Sequence, residues 1–190
     1  VRDGCPDCRI NGASGTAQVH ANFRTEELTD VNMNGQTATM GEIEARTIEI
    51  GRYFTEIEDQ RAVRVCLIGA TLREKFFPNQ DPTGRVIKLS GQDFTVIGLY
   101  EKAGSVLGQD SDNFAVIPLN TFLQIKGSRY SLTINVKVPN DAKAFERAQD
   151  QARLILRARR HIRPNQEEDF FLGTKDSYIQ LWQQISGAFF

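Results

Sequence analysis

Ala17, Val19, Ala21 and Phe23 alternate with Gln18, His20, Asn22 and Arg24, the period-two pattern of a strand with one buried face. His20 then falls on the polar face, an exposed side chain with no ligand role. This period dominates the first two thirds of the chain. Val31-Asn32-Met33 leads into Asn34-Gly35, which reads as a type I′ hairpin turn. Val63 to Ile68 is a nearly continuous apolar run, suited to a strand buried on both faces, and Gly69 ends it. Thr71 is placed to cap a short helix through Phe77, which Pro78 stops. After the turn Asp81-Pro82-Thr83-Gly84, a hairpin is predicted with arms 86–89 and 94–99 around Ser90-Gly91-Gln92. A Gly- and Asp-rich loop covers 102–113. Phe114-Ala115-Val116-Ile117 reads as another strand, closed by Pro118 and followed by a short helix through Ile125. Over 131–138 the alternation puts Leu132, Ile134, Val136 and Val138 on one strand face.

The last sixty residues change period. Asn140 or Asp141 is placed to cap a helix running to about Arg160, with Phe145, Ala148, Ala152 and Ile155 as its packed stripe. Arg157, Arg159, Arg160 and His161 crowd its last turn, where cations complement the helix dipole. Pro164 prevents continuation. Asp169-Phe170-Phe171-Leu172-Gly173 reads as a strand, and a second helical pattern starts near Thr174. Strand 131–138, helix 141–160 and strand 169–173 therefore predict a βαβ-like unit beside a β-rich middle segment. The fold class expected is α+β.

At 190 residues the chain can hold one large domain or two small subdomains. Hydrophobic content of 40% and charged content of 25% fit a soluble globular protein, and a net charge of -1 gives no case for nucleic-acid binding. No apolar stretch approaches the roughly 20 residues needed to cross a bilayer. Gly187-Ala188-Phe189-Phe190 turns apolar where the sequence stops, as if a membrane helix were about to begin, so the chain reads as an excised piece.

Candidate chemistry changes this picture little. Cys66 sits in the apolar run as a small buried hydrophobe. Cys5-Pro6-Asp7-Cys8 is a single C-x-x-C with no second pair and no paired histidines to complete four zinc ligands. It reads as incidental cysteines or a local disulfide. No G-x-x-x-x-G-K-[ST], helix-opening G-x-G-x-x-G or G-x-S-x-G is present. Asp110 and Asp112, with Gln109 and Asn113, offer hard-cation oxygens but miss the EF-hand register, and read as a solvated turn. Glu167, Glu168 and Asp169 are adjacent and do not converge on one point. They offset the basic run from Arg157 to Arg163, which has no interleaved aromatics for base stacking. The expectation is an ion-pair neighbourhood, with no catalytic, cofactor or metal site. A ligand-binding receptor would need an apolar pocket with converging polar groups, and the alternating strands offer no obvious lining.

A set of strings in fixed order says more. Gly51-Arg52-Tyr53-Phe54-Thr55-Glu56, Arg64-Val65-Cys66-Leu67-Ile68-Gly69, Phe76-Phe77-Pro78 and Asp81-Pro82-Thr83-Gly84 are followed by Phe94-Thr95-Val96-Ile97-Gly98 and Gly108-Gln109-Asp110. Val116-Ile117-Pro118-Leu119, Arg160-His161-Ile162-Arg163-Pro164 and Glu167-Glu168-Asp169-Phe170 complete the series. The series resembles the periplasmic core domain of MacB-like ABC transporter permeases over about residues 15–190.

That resemblance implies an α/β porter-like subdomain, here 1–24 with 128–190, and an inserted, mainly β, sabre-like subdomain over 25–127. The family's first porter strand and helix, expected before Cys5, are not evident. It implies a domain on the periplasmic side of a bacterial inner membrane, relaying motion driven by a cytoplasmic ATPase. The implied partners are a membrane-fusion adaptor and an outer-membrane duct, with a homodimer in the full-length transporter and a monomer for the isolated domain. The related alternatives are lipoprotein release and signalling to a cell-wall hydrolase. Gln109, Asp110, Asp112, Tyr178 and Trp182 are the candidate partner or dimer contacts; no enzyme activity and no cofactor are expected of the chain itself.

Overall fold

A closed circuit of strands accounts for most of the hydrophobic alternation. The computed structural model describes residues 4–106 and 109–173. Two compact units divide the chain, Ile10–Lys137 and the flanks Val1–Arg9 with Val138–Phe190. Among its described residues the first holds ten strands and four helices, in chain order β1 (Ile10–Phe23), β2 (Glu26–Gln36), α1 (Met40–Glu44), β3 (Ile48–Gly51), α2 (Glu56–Gln60), β4 (Val65–Ile68), α3 (Ala70–Phe76), β5 (Val86–Leu89), β6 (Gln92–Tyr100), β7 (Ser105–Val106), β8 (Gln109–Asp110), β9 (Phe114–Pro118), α4 (Leu119–Lys126) and β10 (Thr133–Lys137).

β1 and β2 form an antiparallel hairpin, β2 runs parallel to β9, and β9 runs antiparallel to β4. β4 is parallel to β6, which is antiparallel to β5. β5 returns to β1 through Ala21↔Leu89 and Asn22↔Lys88, which closes a barrel of β1, β2, β9, β4, β6 and β5. β10 extends the sheet from β1, and β3 extends it from β6. Closure satisfies edges that an open sheet leaves unpaired.

The core follows the alternation. Val19, Val31, Met33, Cys66, Ile68, Ile87, Phe94, Val96, Ala115 and Ile117 meet in one cluster with Leu72, Phe76 and Phe122 from α3 and α4. Val65 and Leu67 of β4, with Phe114 and Val116 of β9, pack instead into a second cluster with Phe54 and Tyr100. Both central strands are thus covered on both faces, which is why their sequences are unbroken apolar runs. Cys66 is fully buried, and that burial pushes its thiol pKa up. His20 is exposed beside Glu27, as its register requires.

Two local expectations are corrected. Asn34-Gly35 is no hairpin turn: it lies within β2, opposite Thr16 and Gly15 of β1 and alongside Val116 and Ile117 of β9. The chain reverses earlier, between β1 and β2, where Arg24 takes a φ of 54°. Gly35 is glycine because a Cβ there would collide with the Phe122 ring. Gly69, not Thr71, is the N-cap of α3, because a side chain at Gly69 would strike the Asp112 carbonyl.

In the flanking unit, α5 (Ala142–Arg159) starts as expected at Asp141, whose carboxylate accepts the N–H groups of Lys143 and Ala144. Ala144, Ala148 and Ala152 form its buried stripe, and Phe145 is 39% exposed, so the stripe starts one position earlier than the sequence spacing indicates. The buried Cys5 and Cys8 form a disulfide across a turn, and Asp7 between them accepts from Arg147 at 3.1 and 3.2 Å. The Arg157 guanidinium pairs with Glu168 and donates to the carbonyls of Arg163, Pro164 and Gln166. Arg153 also reaches Glu168, and Arg160 reaches Asp169 at 2.9 Å.

Those bonds hold 163–169 as turns against the helix end, and residues 169–173 form no strand. The predicted βαβ unit therefore lacks its second strand among the described residues. Its first, β10, pairs antiparallel with β1 instead. The two compact units are bounded at residues 9/10 and 137/138, and β1 pairs with β10 over Ile10–Ser14 and with β2 over Ser14–Phe23. Among the described residues no helix is long and apolar enough to cross a membrane.

Candidate functional site

A cleft of the strand-rich unit lies where β2 passes through α1 into β3. Thr37 and Thr39 anchor this passage: the Thr37 hydroxyl accepts the Ala13 N–H and the Thr39 hydroxyl donates to the Asn11 carbonyl. The single turn of α1 ends at Ala45, which takes left-handed angles of φ 50° and ψ 32°. That twist sits between Glu44 and Arg46, and both side chains line the cleft.

One part of the cleft, about 240 Å³, is walled by Ala38, Ile48, Tyr53, Phe54 and Tyr100. The adjoining part, about 350 Å³, is lined by Ser14, Thr16, Asn34 and Gln36. Glu44 and Arg46 belong to both. Tyr53 stacks on Phe54 with ring centroids 4.3 Å apart. Its ring also covers Gly41, where any Cβ would crowd it.

A polar relay crosses the floor. The Tyr53 hydroxyl donates to Gln36 Oε1 at 2.7 Å, and Gln36 Nε2 donates to Glu44 Oε1 at 2.7 Å. Both ends of the buried amide are thereby assigned, and its orientation follows. Burial lifts the Glu44 carboxyl above its ordinary range, with Arg46 and the Gln36 bond opposing. Burial likewise raises the Tyr53 and Tyr100 phenols, so both stay neutral. The Arg46 guanidinium stands 4.7 Å over the Phe114 ring and 5.8 Å from the Tyr100 centroid, a cation–π arrangement.

This cleft has no signature in the sequence. Its walls come from α1, β3 and the residues flanking it, and the end of β6, with β1, β2 and β9 lining the adjoining part, and only Tyr53, Phe54 and Val116 fall within the ordered strings. The only available signal was Tyr53-Phe54 next to a helix-capping Thr55.

The predicted contact residues lie elsewhere. Asp112 is 2% exposed, and its carboxylate accepts the N–H groups of Ala103 at 3.0 Å and Gly104 at 2.7 Å. Its own N–H donates to Asp110 Oδ1, and Asp110 Oδ2 accepts from the Thr71 hydroxyl at 2.6 Å. The two aspartates thus tie Ala103 and Gly104, before β7, and the end of β8 to the start of α3. Asp110 is exposed, and Gln109 stands opposite Val106 in this short ladder. Tyr178 and Trp182 lie outside the described residues. No group of three or more His, Cys, Asp or Glu side chains is placed to hold a metal ion among the described residues.

Comparison with known proteins places the whole arrangement. The family model of the MacB-like periplasmic core domain matches residues 4–155. The macrolide export ATP-binding/permease protein MacB of Bdellovibrio bacteriovorus is 29% identical over 152 residues, 76% of this chain and 23% of that protein. Its counterpart in Neisseria gonorrhoeae is 27% identical over 167 residues, 87% of this chain and 25% of that protein. The chain spans about a quarter of the length of these curated relatives. The crystal structure of the periplasmic region of MacB from Actinobacillus actinomycetemcomitans superimposes with a TM-score of 0.76 at 19% identity, covering 94% of this chain and 77% of that one. The extracellular domain of the noncanonic ABC-type transporter YknZ from Gram-positive bacteria gives 0.72 at 20% identity, covering 84% and 80%. At these identities the two structures establish a shared fold.

Proposed function

The chain belongs to the MacB-like periplasmic core domain family, and from that premise we propose that it is the extracytoplasmic part of an ABC transporter permease that relays ATP-driven motion across the inner membrane for efflux from the periplasm. The family match over 4–155 carries this reading, and the macrolide export for which the relatives are named favours efflux. A relay must pass on displacement without absorbing it. The closed barrel suits that task, because closure pairs the strands that an open sheet would leave free to slide or fray. The helix α5 suits it as well, capped by Asp141 at one end and held by Arg157 at the other.

ATP turnover belongs to an ATPase domain or subunit, and the chain performs no chemical step of its own. Its partners in this reading are a membrane-fusion adaptor leading to an outer-membrane duct, and a second copy in the assembled transporter. Asp110 is the exposed member of the aspartate pair and is the residue assigned to partner contact, beside Gln109.

The test uses the full-length transporter in cells. Excising Ile10–Lys137 should leave ATP hydrolysis in membranes but abolish protection against exported compounds. Protection that persists at the unaltered level after this excision overturns the relay.

A further inference from the structure

We propose that the cleft around Glu44 and Arg46 is a binding site for a small organic cation, such as an alkylated amine. The inference does not depend on the transporter reading, because binding to the chain is measured directly.

Three features of the cleft point to this class of ligand. Tyr53, Phe54 and Tyr100 wall the smaller part, and aromatic faces present negative potential to a cation. Glu42 and Glu44 with Arg46 leave the same part with one net negative charge. The Gln36 relay fixes the Glu44 carboxylate through Oε1, so Oε2 keeps its acceptor capacity for a ligand. An anion would meet the two glutamates, and a neutral apolar molecule would desolvate them without compensation.

Arg46 is the fourth observation. It stands over Phe114 and near Tyr100 as a cation already attracted by the aromatic surface. In the binding step it is the internal competitor: a ligand cation nearer to Glu44 takes over the carboxylate, and the Arg46 side chain, which is exposed, swings toward solvent. The polar remainder of the ligand then meets the hydroxyl and amide groups of Ser14, Thr16 and Asn34 in the adjoining part.

The test titrates the 190-residue chain with choline and with its neutral isostere 3,3-dimethylbutan-1-ol, following backbone amide shifts by NMR. Choline should give saturable shifts at residues 36, 44–46 and 53, with an affinity about tenfold above the isostere. Glu44→Gln should weaken choline about fivefold or more while remote amide shifts and the melting temperature stay unchanged. Arg46→Ala should leave choline binding equal or tighter, because it removes the competitor. Equal binding of the neutral isostere overturns the proposal. Loss of choline binding in Arg46→Ala overturns it too, as does the absence of saturable shifts up to about 100 mM, well beyond the millimolar range of a useful site.

Discussion

The ring of Phe122 lies directly over Gly35, covering the window that Gly35 and its cross-strand partner Gly15 leave in the β1–β2 ladder. Phe122 is fully buried there, edge-on to Tyr130 at 5.0 Å, and the Tyr130 hydroxyl donates to the Thr16 carbonyl at 2.6 Å. Aromatic cover of a glycine pair turns a weak stretch of strand into part of the core.

Gly35→Ala should therefore cost about 1–3 kcal/mol by overpacking, and Phe122→Ala about 3–5 kcal/mol by leaving a cavity. The double variant should be more stable than the sum of the two losses, since the added methyl enters the space the ring vacates. Urea denaturation of the four proteins measures the coupling. Strict additivity would mean that the two residues do not press on each other.

The Arg52–Glu58 pair gives the chain an acid-sensitive element. Arg52 grips both carboxylate oxygens at 2.7 and 2.8 Å, and Glu58 also closes a capping box with Thr55 at the start of α2. Chiefly through the Arg52 hydrogen bonds, with the Thr55 amide and hydroxyl assisting, the Glu58 pKa falls from 4.5 to about 2. A carboxyl lowered on folding adds stability that is complete above pH 4.5 and is lost as the pH falls toward 2. Solvent screening at this partly exposed site limits the contribution to about 1–2 kcal/mol. Glu58→Gln should flatten that part of the stability–pH curve, followed by denaturation between pH 6 and pH 2; an unchanged acid slope would remove the pair from the account.

Ala45 holds left-handed backbone angles at the end of α1, its N–H bonded to the Gly41 carbonyl. Such a conformation costs an L-residue about 1–2 kcal/mol, part of which glycine recovers. Ala45→Gly should raise stability by about 0.5–1 kcal/mol, and Ala45→Val should lower it by more than that. Thermal melting reads both, and a destabilised glycine variant would contradict the strain.

Asp112 and Asp110 should separate in their effects. Asp112→Ala removes the buried carboxylate to which the Ala103 and Gly104 N–H groups donate and should cost about 1–3 kcal/mol, with faster hydrogen exchange at both amides. Asp110→Ala loses an exposed bond to Thr71 and a part-buried one to the Asp112 N–H and should cost about 1 kcal/mol. An adaptor contact at this loop would then show as weaker pull-down of the adaptor by full-length Asp110→Ala at nearly unchanged stability.

Local chemistry settled a large part of this protein without tertiary information. The doubly buried runs of β4 and β9, the β5–β6 hairpin, the Asp141 cap of α5, the exposed His20 and the ion pairs around Arg157 all follow from period, cap or charge within a few residues. Some of the ordered strings that mark the family, among them Arg64–Gly69, Phe94–Gly98 and Val116–Leu119, lie in or beside those same elements. Tertiary structure decided the rest, because it depends on residues distant in sequence. Barrel closure rests on the short pairing of Ala21 and Asn22 with Leu89 and Lys88. Asn34-Gly35 carries a turn signature, but Phe122, far along the chain, requires glycine there for packing. Asp169–Gly173 has the composition of a strand, but bonds from Arg157 and Arg160 to its neighbourhood hold turns instead. The Glu44–Arg46 cleft joins walls from α1, β3 and β6 with side chains of β1, β2 and β9. A periodic pattern states which face of an element is apolar; which surface covers that face is fixed only when the elements pack.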